Sequence, residues 1–389
     1  MIPFLPMQYL FVSTAALILF MISLLISKKD RRISDNLLAM WLFVFFANMV
    51  TLFIVNSDPK PDNLLIGFIV EFSEASLFLH GPLLFFYTIS LTRPNFRLAQ
   101  KHLLHSIPFF ISYLYLILGL FFEIGSQAYG RLILLLIKLI WIGFYLIYNI
   151  LILQKHKANI EKIFSNLEEK TLKWLNFISI GVFILWITGV VSYTLNEIFD
   201  FNIPQYGGLY MNFLLCVFVF LLGYFGFRQT SVFSMTVIQE KTTGEIADIE
   251  EIVESVPGIE TKYKKSGLDA GKTNEIIVKM LQLLTDKKIY LDQNLTLFKM
   301  AEILKVQPNH LSQVINSTQN QSFFNFINSY RIEEVKKNIN SDKMKNFSLL
   351  GIAFECGFNS KASFNRAFKK HTGLTPSEYK KSKELKISA

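Results

Sequence analysis

Two short stretches of this 389-residue chain carry polar side chains at spacings suited to hydrogen bonding along a groove. The first holds Asn309, His310, Ser312, Gln313 and Asn316. The second holds Asn359, Ser360, Lys361, Ser363, Arg366, Lys369 and Lys370. An amide side chain donates and accepts at once, which matches the major-groove edge of adenine, while Ser and His can meet a base or a phosphate. Arg366, Lys369 and Lys370 recur at helical spacing and suit phosphate anchoring, which adds affinity without sequence information. Any solvated helix also shows a polar face, so these residues gain weight only from the elements that position them.

Those elements form a repeat. The first copy runs from Leu297 to Leu304, turns through Lys305–Gln307 and continues from Pro308 to Asn316. The second runs from Leu349 to Phe358 and continues from Ser360 to Lys370. Each copy reads as a short amphipathic helix, a tight turn and a second amphipathic helix. Ala301 and Ala353 occupy the same place in both, where a small side chain lets two helices cross closely. Met300, Leu304, Val306, Leu311 and Val314 have the spacing of a buried seam in the first copy, and Phe358, Phe364 and Phe368 supply it in the second. Pro308 suits the first turn of a helix, where its missing N–H matters least. Gly357 suits a helix end with left-handed backbone. Between the copies, Phe323–Ile339 keeps a helical apolar period. A helix of about 17 residues is ~25 Å long, which could hold two reading helices about one DNA turn apart, ~34 Å.

Residues from about 290 to 380 resemble the DNA-binding domain of the arabinose-regulator (AraC/XylS) family. The residues that carry the resemblance are Tyr290–Leu297, Ala301, Pro308–Gln313, Tyr330–Ile332, Ile352, Ala353, Gly357, Phe358, Ser363, Phe364, Ala367–Lys370 and Gly373–Tyr379. The second copy and its tail are the most specific part. The resemblance implies a transcription regulator that binds double-stranded promoter DNA through both reading helices, with RNA polymerase as a partner and room for a homodimer. It covers about a quarter of the chain. Lys305 stands where the turn of such motifs often has Gly, and the family's usual soluble sugar-binding domain is absent.

The rest of the chain is of another kind. It is 51% hydrophobic overall, with 38 Phe, too apolar for an ordinary soluble protein. Seven apolar runs, near residues 5–26, 37–55, 64–90, 103–122, 132–153, 174–199 and 209–227, are each long enough to span a bilayer. Gly81-Pro82 predicts a kink in the third. The first run has its basic residues after the apolar segment, unlike a signal peptide. Basic residues crowd one set of connections (Lys28–Arg32, Arg93–Lys101, Lys155–Lys173, Arg228), and the other set holds Lys60 with Arg131 at a helix end. By the positive-inside rule the first set is cytoplasmic, with the N-terminus outside and the C-terminus inside. Residues 270–389 hold 19 basic and 10 acidic side chains, a net charge equal to the +9 of the whole chain. Such a basic region points to nucleic acid or an anionic lipid surface.

Ionisable residues inside apolar runs are costly in lipid and are usually paired or face a cavity. Glu71 and Lys138 lie at matched height, about 10 Å deep at 1.5 Å per residue. Glu74 lies one turn deeper on nearly the same face, whereas His80 turns towards the side of Ser73 and Ser76. Glu71, Glu74 and Lys138 therefore form a candidate polar cluster that either joins helices or lines a ligand pocket. His102 and His105 are too few for a metal site. Cys216 and Cys356 are read as packing residues, with no disulfide framework or zinc pattern. Gly271-Lys272-Thr273 looks like the end of a phosphate loop, but Ser266 stands where the motif needs Gly. No catalytic constellation stands out, so neither an enzyme nor a cofactor is expected.

The expected architecture is all-α. Residues 1–228 form a seven-helix transmembrane sensor domain in a bacterial cytoplasmic membrane, 229–272 a cytoplasmic linker in which Glu245–Val256 could form an acidic helix, and 273–389 the double helix-turn-helix. The lipid bilayer and an unidentified ligand or membrane partner protein are the expected partners of the first part. The expected function is a membrane-bound transcription regulator. The alternative is a transporter or channel-like protein whose tail binds DNA or lipid.

Overall fold

A computed structural model describes residues 5–57, 63–93, 96–122, 128–167, 170–197, 206–228, 270–339, 341 and 346–387. The expected acidic helix at Glu245–Val256 and nearly all of the expected linker lie outside these residues. The fold is all-α. Among the described residues no β-strand occurs, only one isolated antiparallel bridge between Phe164 and Thr296. By internal packing the chain divides into two units, residues 1–154 with 172–239, and residues 155–171 with 240–389.

The first unit is built from helices α1 (Leu5–Ile26), α2 (Ile33–Val55), α3 (Leu64–Ser76), α4 (His80–Thr92), α5 (Ile107–Phe122), α6 (Ala128–Ile163) as far as residue 154, α7 (Lys173–Glu197) and α8 (Tyr206–Arg228). Helix α1 packs on α2 and α8, α2 also on α4, α3 on α5 and α7 on α8. Among the described residues six helical stretches are long and apolar enough to cross a bilayer, with α3 and α4 counting as one. The seventh expected run is helix α8, of which Phe213–Arg228 is a shorter apolar stretch. The unit has an apolar core, yet it also exposes large apolar side chains. Phe110, Ile111, Ile140, Phe144 and Ile147 are exposed, while Asn48, Ser73, Ser76, His80, Lys138, Asn149 and Ser179 are buried.

One expected break is found and one predicted boundary changes, each for an identifiable reason. The third run is interrupted by a 3-10 turn at Leu77–Leu79, ahead of Gly81-Pro82. Pro82 has no N–H to offer the carbonyl four residues earlier and its ring crowds it. That carbonyl belongs to Phe78, and the Trp141 indole donates to it at 3.0 Å. The fifth run was expected to end near 153, yet α6 continues to Ile163. Lys155, Lys157 and Lys162, read from sequence as loop residues, are therefore helical. Hydropathy marks where a bilayer could end and says nothing about where an amphipathic helix stops.

The second unit holds α9 (Ala270–Asp286), α10 (Leu297–Leu304), α11 (Pro308–Gln319), α12 (Phe323–Asn338), α13 (Leu349–Glu355), α14 (Lys361–Thr372) and α15 (Pro376–Ile387). The phosphate-loop lookalike at Gly271–Thr273 is the first turn of α9. Local chemistry sets the helix starts. Thr296, Ser322, Ser348 and Ser360 each accept a backbone N–H three residues on, which satisfies a donor the first turn leaves open. At α15 Thr375 and Glu378 form a reciprocal capping box, at 2.7 and 3.3 Å.

Candidate nucleic-acid interface

Helices α10 and α11 form the first helix pair, α13 and α14 the second, and each packs against α12. The two turns close in the same way. In the first, the Val306 N–H donates to Ala301 O and that of Lys305 to Glu302 O, both at 3.0 Å. In the second, Phe358 N donates to Ala353 O and Gly357 N to Phe354 O, at 3.0 and 3.1 Å. This pair of bonds needs one left-handed residue. Lys305 takes φ +56° and Gly357 φ +92°. Lys305 is exposed and can be tolerated there. Gly357 is enclosed: a Cβ on it would meet Tyr290 O at 2.5 Å and Arg331 Nε at 2.8 Å.

The seams are those expected. Met300, Leu304, Leu311 and Val314 are buried, joined by Ile315, while Val306 is half-buried. Ala301 and Ala353 are both buried where the helices cross. Phe358, Phe364 and Phe368 centre the second pair, with Ile332, Val335, Ile352 and Cys356 around them. Burial pushes the Cys356 thiol up to about 11, which fits a packing role.

The start of α14 comes one residue later in its repeat than the start of α11. Its N-cap, Ser360, is equivalent to Gln307. In this register Gln313 matches Arg366 and Asn316 matches Lys369. Along α11, Asn309, His310, Ser312, Gln313 and Asn316 are half-buried. Along the second pair, Asn359, Lys361, Arg366, Lys369 and Lys370 are exposed and Ser360 is half-buried, its hydroxyl used as a cap. Ser363 differs from the expectation of an exposed residue. It is 5% exposed and takes a place in the seam, one residue before Phe364. Sequence reading missed Asn365, which is exposed on α14 at the place equivalent to Ser312. The helical spacing Lys361–Asn365–Lys369 was the available signal.

The basic residues of α14 divide into two rows. Lys370 donates to Asn325 Oδ1 at 3.0 Å, and the Arg366 guanidinium lies 5.7 Å from the centre of the Phe324 ring, within cation–π range. This row braces α14 against the start of α12. Lys361, Asn365 and Lys369 form the other row.

Beneath both pairs lies Arg331, a charged residue with 0% exposure in the middle of α12. Its Nε donates to Tyr290 O at 2.6 Å and its Nη2 to Asp292 O at 2.7 Å. Burial pulls its pKa down to about 9, partly offset by Asp292, so it stays charged at neutral pH. Glu334, one turn further, accepts from Lys288 at 2.7 Å and from the Tyr290 hydroxyl at 3.1 Å. Burial would raise the Glu334 carboxyl, but these bonds outweigh it and hold it below the usual range. Arg331 was legible as a residue standing at an apolar position of the α12 period, between Ile327 and Val335.

In the first unit the candidate polar cluster is partly assembled. Lys138, 1% exposed, donates to Glu74. Glu71 and Glu74 line a cavity of about 400 Å³ together with Asn48, His80, Phe218 and Trp186. His80, expected to turn away from Glu71 and Glu74, lines the same cavity and lies 3.4 Å from Asn48 Nδ2. Trp41 Nε1 donates to its Nδ1 at 2.9 Å, and Ser73 and Ser76 donate to Asn48 Oδ1 at 2.7 and 3.2 Å. Trp41 and Asn48 had no sequence signal, because they lie on another helix. His102 accepts from the Ala99 N–H, and His105 hydrogen-bonds Tyr145.

Comparison with known proteins bears on the C-terminal part. Residues 300–382 match the family model described as a helix-turn-helix domain. An uncharacterized HTH-type transcriptional regulator of Staphylococcus aureus (strain COL) is 31% identical over 94 residues, 24% of this chain and 12% of the relative. The uncharacterized transcriptional regulatory protein YesN of Bacillus subtilis (strain 168) is 30% identical over 108 residues, 27% of this chain and 28% of the relative. The chain thus spans about an eighth to a quarter of the length of these relatives. No solved structure matches it.

Proposed function

We propose that this chain, whose C-terminal unit carries an AraC-type helix-turn-helix domain, is a membrane-anchored transcription regulator. In this reading both helix pairs bind promoter DNA, and a signal in the membrane half controls them. One observation carries the DNA part: two helix pairs with the same turn chemistry stand on one connecting helix of 16 residues. The excess of basic residues in 270–389 supplies the electrostatic attraction. Asn309, His310, Ser312, Gln313 and Asn316 are proposed to meet base edges, with Asn365 joining Asn359 and Ser360 on the second pair. Lys361 and Lys369 anchor phosphates, while Arg366 and Lys370 contribute from the row that braces α14.

The membrane reading is supported by apolar helices of spanning length and by a unit that exposes Phe and Ile and buries polar groups. Glu71, Glu74 and Lys138 are proposed to belong to the sensing site, because they stand in or beside the cavity. The C-terminus is proposed to lie in the cytoplasm of a bacterial cell, where DNA and RNA polymerase are available.

The test uses the full chain in lipid nanodiscs with duplex DNA from the promoter region beside its own gene. Footprinting should show two adjacent protected major-groove segments about 10 base pairs apart. Lys369→Ala should weaken binding to all sequences and lower the salt slope by roughly 0.9, whereas Gln313→Ala should relax preference at particular bases. Absence of any protected segment would sink the proposal.

A further inference from the structure

The end of α6 and the chain that follows it, residues 155–171, pack within the second unit. Ile160, Ile163, Phe164 and Leu167 are all buried there. Phe164 forms the bridge with Thr296. Ser165 donates twice to Leu295 O, from its N–H at 3.3 Å and from its hydroxyl at 2.7 Å. Asn166 donates to Gln293 O and lies 3.5 Å from Gly357 O. The carbonyl of Ser165 accepts from Asn328 Nδ2 at 3.1 Å and from Arg331 Nη1 at 3.2 Å, and its hydroxyl accepts from Arg331 Nη2 at 3.0 Å.

Three consecutive residues therefore reach three places in the reading module. Phe164, Ser165 and Asn166 hold Gln293–Thr296, the segment leading into α10. Ser165 holds Asn328 and Arg331 in the middle of α12. Asn166 reaches the turn of the second helix pair at Gly357. These bonds are buried and mostly involve backbone groups, so they are specific in geometry and costly to leave unmade. Arg331 also donates to Tyr290 O and Asp292 O, which lie outside the segment.

We infer that Phe164–Leu167 is a clamp built into the DNA-binding unit: docked, it fixes the angle between the two helix pairs, and hence the spacing at which both reading helices enter the groove. Because this segment follows α6 directly, and α6 also carries Lys138, the clamp is the covalent route by which a change in the membrane half alters DNA binding. The inference rests on the DNA-binding reading above. It adds the element that transmits control, which neither the helix-turn-helix pattern nor the charge of the C-terminal third specifies.

Ser165→Pro removes the N–H that donates to Leu295 O, and the fixed ring restricts the preceding residue. The milder pair Ser165→Ala with Asn166→Ala covers the case in which the proline variant fails to fold. Both are made in the full chain in nanodiscs and measured with the same promoter duplex. Hydrogen exchange should show lost protection at 163–167 and 290–297, with α11 and α14 keeping theirs. Affinity should fall at least tenfold, and protection should persist over one segment and fade over the other. A released clamp with an unchanged two-segment footprint, or with tighter binding, overturns the inference. Unchanged protection at 290–297 in both variants overturns it as well. Absence of any footprint from the unaltered chain instead overturns the DNA-binding reading, and the clamp's effect on DNA with it.

Discussion

Lys305 and Gly357 occupy one backbone position in two copies of a motif, and their differing environments make opposite predictions. At φ +56° Lys305 bears the cost of a left-handed side-chain-bearing residue, about 1–2 kcal/mol. Glycine removes that cost but adds chain entropy to the unfolded state. Lys305→Gly should therefore protect α10 amides from hydrogen exchange by up to about 1 kcal/mol more. Gly357→Ala should reduce protection of α13 and α14 by about 3 kcal/mol or more, because strain at φ +92° adds to a Cβ 2.5 Å from a fixed backbone oxygen. A neutral Gly357→Ala would mean the second turn is not left-handed. Glu334 gives a pH prediction. Its folded pKa lies below its unfolded value near 4.5, so its stabilisation is present above that value and is lost as pH falls through the folded pKa. Protection of α12 should decline across that acid range, and Glu334→Gln should flatten the decline. At this scale the sequence was informative wherever a residue type answers to its own backbone, as with Gly357 and Pro308. It was silent where a side chain answers to distant backbone: the partners of Arg331 come from residues 290 and 292 and from the segment near 165.

Elements were legible to the extent that their limits are set locally. The helix pairs and α12 were placed within three residues, because Pro308 and the apolar period act within one turn. The end of α6 was misplaced because nothing local ends it: its last residues are stabilised by burial of Ile160 and Ile163. The break between α3 and α4 was expected, and its repair was not. Trp141, on another helix, donates to the Phe78 carbonyl that Pro82 cannot reach. This makes a testable pair. Trp141→Phe should cost about 1–3 kcal/mol by leaving a part-buried carbonyl without that donor. In a Pro82→Ala background the new N–H can bond the same carbonyl, so the same change should cost clearly less. Unfolding in detergent of the two single variants and the double variant measures the difference. Equal costs in both backgrounds would show that the indole is not substituting for the helix's own bond.

For the molecule as a whole, the charge division and the hydropathy pattern make one joint prediction that the two halves can contradict. The basic connections must face the side where DNA is, or the reading of both halves fails together. The native cysteines, Cys216 and Cys356, are buried, so a maleimide that cannot cross membranes should give little background. Ser57→Cys lies between α2 and α3, on the side with few basic residues, and should be labelled from outside whole cells. Arg97→Cys, in the exposed basic connection after α4, should be labelled only after the cells are opened. The reverse pattern would put the helix-turn-helix domain outside, away from any promoter, and the transcription proposal would then fall even if the purified protein bound DNA. The expected pattern would leave control by the membrane half as the open step. Lys138→Met tests that step: it removes the cation held by Glu74 and should change promoter response in cells while leaving the affinity of the nanodisc-embedded chain for its duplex within about threefold. If affinity drops as much as response, Lys138 supports the fold of the whole chain and is not part of a sensing site.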